Sequence, residues 1–151
     1  MINPQQLNSG VFPNWCPGCG DFSMFAGLKN ALVKLDMPIE KHMICYGIGC
    51  HGHMVNFMKA YGFEGLHGRP LTVAEGVKLA NKDLNVMVIA GDGDTYGEGM
   101  AHFMHVMRRN IDMTLIVHDN MVYGLTIGKD RQQQAADSNQ NQHQKEQSIT
   151  Q

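Results

Sequence analysis

The order of apolar and polar positions predicts short buried strands that alternate with helices. Residues 43–46, 86–90 and 113–117 are short apolar runs bounded by polar or glycine-rich segments, a pattern typical of strands buried on both faces. The segment between the second and third runs is long enough for the crossover of a βαβ unit. The chain is therefore predicted to be an α/β protein with a mainly parallel sheet and helices on both faces.

Three segments show the spacing of amphipathic helices. The first is predicted to begin with Asp21 near the N-cap and to end at Met37-Pro38. The second covers residues 71–81, and the third runs from about Glu98 to Arg109. Their apolar positions recur at helical intervals: Phe22, Phe25, Leu28, Leu32 and Leu35, then Val73, Val77 and Ala80, then Met100, Phe103, Met104 and Met107.

Composition divides the chain into a body and a tail. All 17 Gly lie within residues 1–128, the last aromatic residue is Tyr123, and 8 of the 10 Gln lie within residues 132–151. Residues 1–128 are predicted to form one folded domain that opens with a loop-like segment. Residues 129–151 lack apolar periodicity, and a polar segment of this kind is predicted to be a disordered, Gln-rich tail.

Size, charge and hydropathy narrow the classes of partner. The chain has 151 residues, of which 43% are hydrophobic and 17% are charged, as in globular domains. Its net charge of −2 offers no basic surplus for nucleic acid or an anionic membrane. Its apolar runs are far shorter than the roughly 20 residues that span a bilayer, and its start lacks the pattern of a secretory signal. We therefore expect no nucleic acid and no membrane as partners, and a cytoplasmic location.

The segment after the second strand carries the strongest chemical signal. Gly91-Asp92-Gly93-Asp94 follows this strand directly, and Asn120 follows the next strand. Carboxylate and amide oxygens are ligands for Mg²⁺, and glycines let a backbone approach a phosphate closely. The helix that follows would direct its N-terminal N–H groups at the same place. Because ligands of open α/β sheets bind at the carboxyl ends of strands, a metal–diphosphate site is predicted here, with an ordinary Gly-Asp turn as the alternative.

The Gly-Asp-Gly motif with a distal Asn matches the thiamine diphosphate fingerprint. The string GDGDTYGEGMAHFMHVMRRNIDMTLIVHDNMVYGLT and the upstream strings WCPGCGDF, YGIGC and GLHGRPLTVAEGVKLAN resemble the β subunit of 2-oxoacid:ferredoxin oxidoreductases. This resemblance runs from about Asn14 to Thr126. It implies an incomplete thiamine diphosphate-binding fold and the oxidative decarboxylation of pyruvate or 2-oxoglutarate to acyl-CoA. It further implies an α subunit and ferredoxin as partners, with coenzyme A and a 2-oxoacid as substrates.

The resemblance also implies contacts at individual positions. Mg²⁺ would be held by Asp92, Asn120 and the backbone carbonyl of Val122. The activating glutamate comes from a partner domain in families of this type, so no catalytic residue is assigned to this chain. Many relatives have small hydroxyl residues and then a basic residue where this chain has His51-Gly52-His53. The implied contacts to thiamine diphosphate are Ile48, Gly49, Cys50, His51, His67, Gly93, Asp94, Gly124 and Leu125.

The chain has 4 Cys, and Cys16 and Cys19 form a Cys-x-x-Cys motif. By itself, this motif indicates half of a zinc site, a redox dithiol or half of an iron–sulfur site. The family resemblance implies that Cys16, Cys19 and Cys50 are three ligands of a [4Fe–4S] cluster, which takes four thiolates. Cys45 lies in an apolar strand and is predicted to be a buried core residue.

Two alternative functions are also compatible with these motifs. The tail replaces the Gly-Gln-x-Ser-Pro-Thr-like continuation that the family has after Gly-Leu-Thr, so the chain is alternatively an inactive truncated or frameshifted fragment of that subunit. The second alternative is a zinc-bound structural module built on Cys16 and Cys19. The 12 Met are expected to fill gaps in the core rather than to bind copper.

Overall fold

The structure is a computed structural model that describes residues 3–123 and 129–130. The chain divides into two compact units, Met1–Asp119 and Asn120–Gln151, whereas the sequence predicted a boundary after residue 128. Most of the predicted disordered tail lies outside the described residues, so its disorder stays a prediction. Lys129–Asp130, the two tail residues that are described, form a short strand.

Helices and strands alternate along the first unit. Its helices are α1 (Asp21–Leu35), α2 (Met54–Phe57), α3 (Pro70–Ala80) and α4 (Met100–Arg109). Its strands are β1 (His42–Tyr46), β2 (Gly62–Glu64), β3 (Asn85–Gly91) and β4 (Thr114–His118). Turns of 3₁₀ helix cover Pro4–Leu7 and Ile39–Lys41, and a π-helical turn covers Gly93–Glu98. In the second unit, β5 (Val122–Tyr123) pairs in antiparallel fashion with β6 (Lys129–Asp130).

The four strands of the first unit form one parallel sheet in the order β2-β1-β3-β4. The predicted parallel α/β architecture is therefore confirmed. The central strand β3 is buried from Val86 to its end, as its unbroken apolar sequence predicts. Among the residues that the structure describes, no helix is long and apolar enough to cross a bilayer.

Apolar layers cover both faces of the sheet because side chains alternate along each strand. On one face, Met87 and Ile89 of β3 belong to a cluster that includes Leu28 of α1. On the other face, Val88 belongs to a cluster that includes Val106 of α4. The prediction of helices on both faces is thus confirmed. On the first face, a cavity of about 550 Å³ separates α1 from parts of β3 and β4.

The helix starts lie close to the predicted positions. α1 begins at Asp21, as the sequence predicted; Gly20 is its N-cap, and only 9% of the surface of Asp21 is exposed. The start predicted at about Glu98 falls in the π-helical turn, and α4 begins at Met100.

The methionine stripe of α4 lies on its exposed side. Met100, Met104 and Met107 are exposed, while Val106 is the buried residue of this helix. The expectation that methionines fill the core is therefore wrong for α4, because no other part of the described chain covers this stripe. It holds for three methionines in the main apolar cluster: Met54, Met58 and Met87.

A buried histidine begins β1 at the amino edge of the sheet. His42 is 1% exposed, and its Nδ1 lies 2.9 Å from the Nδ2 of Asn85. Burial lowers the pKa of His42. Since the unfolded chain then binds the proton more tightly, the folded state is favoured above the ordinary histidine pKa of about 6.5, and this stability is lost as the pH falls below it.

We predict that His42→Asn makes stability less dependent on pH. Asparagine does not titrate and can place its amide oxygen where Nδ1 accepts a hydrogen bond from the Nδ2 of Asn85, so the loss of unfolding free energy between about pH 7.5 and about pH 5 should be smaller than in the wild type. Urea unfolding at several pH values measures this difference. The exposed His105→Asn serves as the control, and an identical pH dependence in all three proteins would contradict the assignment.

Candidate functional site

Three loops begin at the same edge of the sheet because β1, β3 and β4 are parallel and in register. Tyr46 pairs with Ile89, and Gly91 pairs with His118. The Gly47 N–H donates to the Ile89 carbonyl at 2.9 Å, which continues the pairing past the end of β1. In open α/β sheets this carboxyl edge is where ligands bind. The loops after these strands carry most of the residues that the sequence singled out.

Two buried carboxylates follow β3 at this edge. Asp92 is 4% exposed and Asp94 is 1% exposed. The Oδ1 of Asp94 accepts a hydrogen bond from the Gly68 N–H at 2.5 Å and lies 2.7 Å from the Nδ1 of His67. Burial raises the pKa of the Asp94 carboxyl, and these two partners act in the opposite direction. The Asp94 side chain therefore ties the loop before α3 to the end of β3.

Two glycines let the loops close around the Asp94 carboxylate. A Cβ on Gly47 would overlap this carboxylate. Gly68 has a φ of +72°, and a Cβ there would lie 2.8 Å from the backbone carbonyl carbon of Glu98. Both positions therefore require glycine, the first for space and the second also for backbone conformation. The loop after β1, the loop before α3 and the turn after β3 thus converge on one buried group.

The predicted Mg²⁺ ligands are divided between the two units. Asp92 lies in the first unit at the end of β3. Asn120 and Val122 lie in the second unit, where Asn120 is exposed and Val122 begins β5. The complete ligand set stays a prediction. Two of the predicted cofactor contacts, Gly124 and Leu125, lie outside the described residues.

The loop after β1 presents a buried imidazole. Ile48 is exposed, Gly49 and Cys50 are half-buried, and His51 is 7% exposed. The His51 ring packs so closely on Gly91 that a Cβ there would lie 2.8 Å from Cε1. Burial, together with the neighbouring His118, lowers the pKa of His51 to about 4. His51 is therefore neutral near pH 7, and its buried Nε2 finds no hydrogen-bond partner in the described part of the chain.

The three predicted cluster cysteines belong to neighbouring segments. The Cys19 N–H donates to the Cys16 carbonyl at 3.0 Å, which closes the Cys-x-x-Cys turn. The indole N–H of Trp15 donates to the Cys50 carbonyl at 2.7 Å and joins this turn to the loop after β1. Burial raises the pKa of the Cys50 thiol, and the charges of Asp21, Cys19 and Cys16 raise it further. The three thiols are thus close enough to interact electrostatically.

This donor set supplies three of the four thiolates that a [4Fe–4S] cluster takes. Cys45 is fully buried in the apolar cluster on the opposite face of the sheet from Cys19 and Cys50, so it does not provide the fourth. Its burial confirms the predicted core role and raises its thiol pKa to about 11. Within residues 3–123, no three His, Cys, Asp or Glu side chains gather closely enough to hold a single metal ion.

Sequence reasoning missed a buried pair at the same edge. The Oδ1 of Asp21 lies 2.6 Å from the Nδ1 of His118, and both side chains are almost fully buried. These residues are 97 positions apart, so no local periodicity connects them. The available signals were the position of Asp21 beside the Cys-x-x-Cys motif and that of His118 at a strand end.

The chain is similar in sequence to known proteins. Residues 47–150 match the family model of thiamine pyrophosphate enzymes, C-terminal TPP binding domain. The β subunit of 2-oxoacid:ferredoxin oxidoreductase 1 from Aeropyrum pernix is 44% identical over 119 residues, which cover 79% of this chain and 37% of that protein. The corresponding β subunit from Saccharolobus solfataricus is 48% identical over 118 residues, which cover 77% of this chain and 39% of that protein.

A solved structure shows the same fold. It is a 2-oxoglutarate:ferredoxin oxidoreductase from Magnetococcus marinus with 2-oxoglutarate, coenzyme A and succinyl-CoA bound. Its match has a TM-score of 0.82 and 40% identity, and covers 85% of this chain and 44% of that one. This chain thus spans less than half the length of the relatives it matches. It belongs to the thiamine pyrophosphate enzyme family, and its homologues are β subunits of 2-oxoacid:ferredoxin oxidoreductases.

Proposed function

We propose that this chain is the thiamine diphosphate-binding part of a 2-oxoacid:ferredoxin oxidoreductase in the cytoplasm. The observation that supports it best is the convergence of three loops on Asp94, two residues after the buried Asp92, at the carboxyl edge of the parallel sheet. The enzyme would decarboxylate a 2-oxoacid oxidatively, form an acyl-CoA and pass electrons to ferredoxin. An α subunit would complete it, as the β subunit names of the relatives suggest.

Asp92 is the residue on which the proposed metal site depends. Mg²⁺ is held by one or two carboxylates and leaves positions for phosphate oxygens, and Asp92 offers a carboxylate at the end of β3. Asn120 and the backbone carbonyl of Val122 would be the other protein ligands. A bound cation also offsets the cost of keeping a carboxylate 4% exposed. The chemistry of this side chain therefore fits Mg²⁺.

The loops at the edge would hold the cofactor itself. The buried Nε2 of His51 would offer a hydrogen bond to a ligand atom, and Gly49 leaves room for the His51 ring, since a Cβ there would lie 2.6 Å from Cε1. When bound, thiamine diphosphate supplies the electron sink for decarboxylation, while the protein binds and orients it. The contacts proposed from this chain are Ile48, Gly49, Cys50, His51, His67, Gly93, Asp94, Gly124 and Leu125.

The thiols beside this loop would hold the [4Fe–4S] cluster. Cys16, Cys19 and Cys50 are the proposed ligands, and the fourth would come from outside the cysteines of this chain. A bound iron centre would stabilise the thiolate of Cys50, which burial and the charges of Asp21, Cys19 and Cys16 otherwise disfavour. Because Cys50 belongs to both proposed contact sets, the loop after β1 would serve the cofactor and the cluster together. The cluster would carry the electrons toward ferredoxin.

The substrate class follows from the named relatives. They include 2-oxoacid:ferredoxin oxidoreductases and a 2-oxoglutarate oxidoreductase subunit from Mycobacterium tuberculosis that is 41% identical over 115 residues. We propose pyruvate or 2-oxoglutarate. The chain should be co-expressed with its α subunit and assayed for acceptor reduction with ferredoxin or viologen, coenzyme A and each acid. Turnover of one acid would support the proposal.

The number of thiols favours a second candidate, a subunit that binds the cofactor but does not catalyse the reaction. Cys16, Cys19 and Cys50 supply three of the four thiolates that the cluster takes. This candidate predicts binding of thiamine diphosphate without acceptor reduction by any 2-oxoacid, even with the α subunit present. Failure to bind thiamine diphosphate would contradict both candidates.

We predict that Asp92→Asn weakens Mg²⁺-dependent binding of thiamine diphosphate by about 100-fold or more. The reason is that the substitution removes the carboxylate ligand, and even the loss of groups that only orient metal ligands costs 10–100-fold in affinity. Isothermal titration calorimetry with Mg²⁺ present measures the change. The exposed Asp83→Asn is the matched control and should bind like the wild type; equal affinity in the Asp92 variant would refute the proposed site.

We predict that the chain, purified anaerobically with its α subunit, contains iron and acid-labile sulfide. Cys50→Ala should lose most of both, because it removes a proposed thiolate ligand. Cys45→Ala should keep both, because that thiol lies in the core on the other face of the sheet. Metal and sulfide analysis of the three proteins tests this. Zinc without sulfide would instead support the structural module built on Cys16 and Cys19.

A further inference from the structure

A buried carboxylate connects the Cys-x-x-Cys turn to the end of β4. One oxygen of Asp21, Oδ2, lies 3.5 Å from the Cys19 sulfur. The other oxygen, Oδ1, lies 2.6 Å from the Nδ1 of His118, which is the last residue of β4. The two side chains are 11% and 10% exposed, so little water competes for these contacts. Asp21 therefore contacts one proposed cluster ligand and the sheet edge at the same time.

The His118 ring extends this connection to the second cysteine segment. Its centroid lies 5.6 Å from the centroid of the His51 ring, with the planes tilted by 51°. His51 directly follows Cys50 and is held between the backbone at Gly49 and at Gly91. A continuous chain of side-chain contacts thus runs from Cys19 through Asp21, His118 and His51 to the loop that carries Cys50.

We propose that Asp21 and His118 are positioning residues that fix the Cys19 turn against the Cys50 loop before a cluster is bound. This inference rests on the proposed iron–sulfur site. A buried pair of this kind is weak evidence for stability, because desolvation offsets much of its attraction, and its best-supported use is to select one arrangement. Metal sites gain affinity when the groups around their ligands are held in place. The Asp21–His118 pair supplies that support from a strand end distant in sequence.

Two amide substitutions of His118 distinguish the loss of its hydrogen bond to Asp21 from a general destabilisation of the fold. His118→Asn places an amide nitrogen where Nδ1 lies and keeps the hydrogen bond to Asp21, whereas His118→Gln places its amide nitrogen near the position of Nε2 and loses that bond. The full chain without metal is alkylated with iodoacetamide, and mass spectrometry gives the rate at each cysteine. The exposed Cys16 serves as the internal control.

We expect Cys19 and Cys50 to react about fivefold faster in His118→Gln than in the wild type, the factor that corresponds to one lost hydrogen bond. His118→Asn should react like the wild type, and Cys16 should react equally in all three proteins. In an Asp21→Ala background the two His118 variants should become indistinguishable, because no carboxylate remains for either to bond. If His118→Gln does not fold, both cysteines should react faster in Asp21→Ala than in Asp21→Asn, because both variants remove the charge but asparagine keeps an oxygen that accepts the hydrogen bond from the Nδ1 of His118.

Equal rates in His118→Asn and His118→Gln with Asp21 present would overturn the positioning role. Reconstitution with iron and sulfide, in complex with the α subunit, adds an independent readout: His118→Gln should take up less iron and give an altered electron paramagnetic resonance spectrum, while His118→Asn should match the wild type. A wild-type complex that takes up no iron would refute the cluster assignment of the proposed function, whereas the alkylation pattern by itself decides whether the contact chain positions the two cysteines.

Discussion

The parallel register of β1, β3 and β4 is the constraint on which the candidate site depends. Backbone pairing sets Tyr46 beside Ile89 and Gly91 beside His118, so the loops that follow all start from one edge. A shift of one residue would turn the side chains of a strand to the opposite face of the sheet. Both faces of β3 pack against apolar clusters, so such a shift would replace the side chains that fit each cluster, and close packing of the core opposes it. The stability of the core thereby determines where the polar groups meet.

Three buried carboxylates at this edge have different surroundings and therefore different roles. Asp94 is bonded to the loop before α3 and holds loops together. Asp21 contacts Cys19 on one side and His118 on the other, which links the cysteine turn to the sheet. Asp92 directly follows β3 and is the carboxylate of the proposed Mg²⁺ site. A cofactor-binding edge of this kind needs positioning groups as well as ligands.

The sequence predicted those features that local pattern determines. The apolar runs located the buried strands, the Cys45 position in such a run indicated its burial, and the polar residues after β3 marked the edge at which the loops meet. The sequence could not predict the tertiary contacts. The pairing of Asp21 with His118 joins positions 97 residues apart, and the partners of Asp94 come from another loop.

Amphipathic spacing also does not predict whether the apolar stripe of a helix is buried. The period of α4 defines an apolar stripe, but whether that stripe is buried depends on what packs against it. In the described part of the chain, Met104 and Met107 are exposed while Val106 reaches the core. The π-helical turn also lies where the sequence indicated the start of α4.

The most direct test of the proposed site is a measurement that reports position: nuclear magnetic resonance of the chain with thiamine diphosphate and Mn²⁺ in place of Mg²⁺. We predict that bound Mn²⁺ broadens the backbone amide signals of Gly49, His51 and Asp92, while the signals of His42 and Asn85 at the opposite edge stay sharp. Broadening centred on the opposite edge would contradict the proposed site. Broadening that does not require thiamine diphosphate would also contradict it.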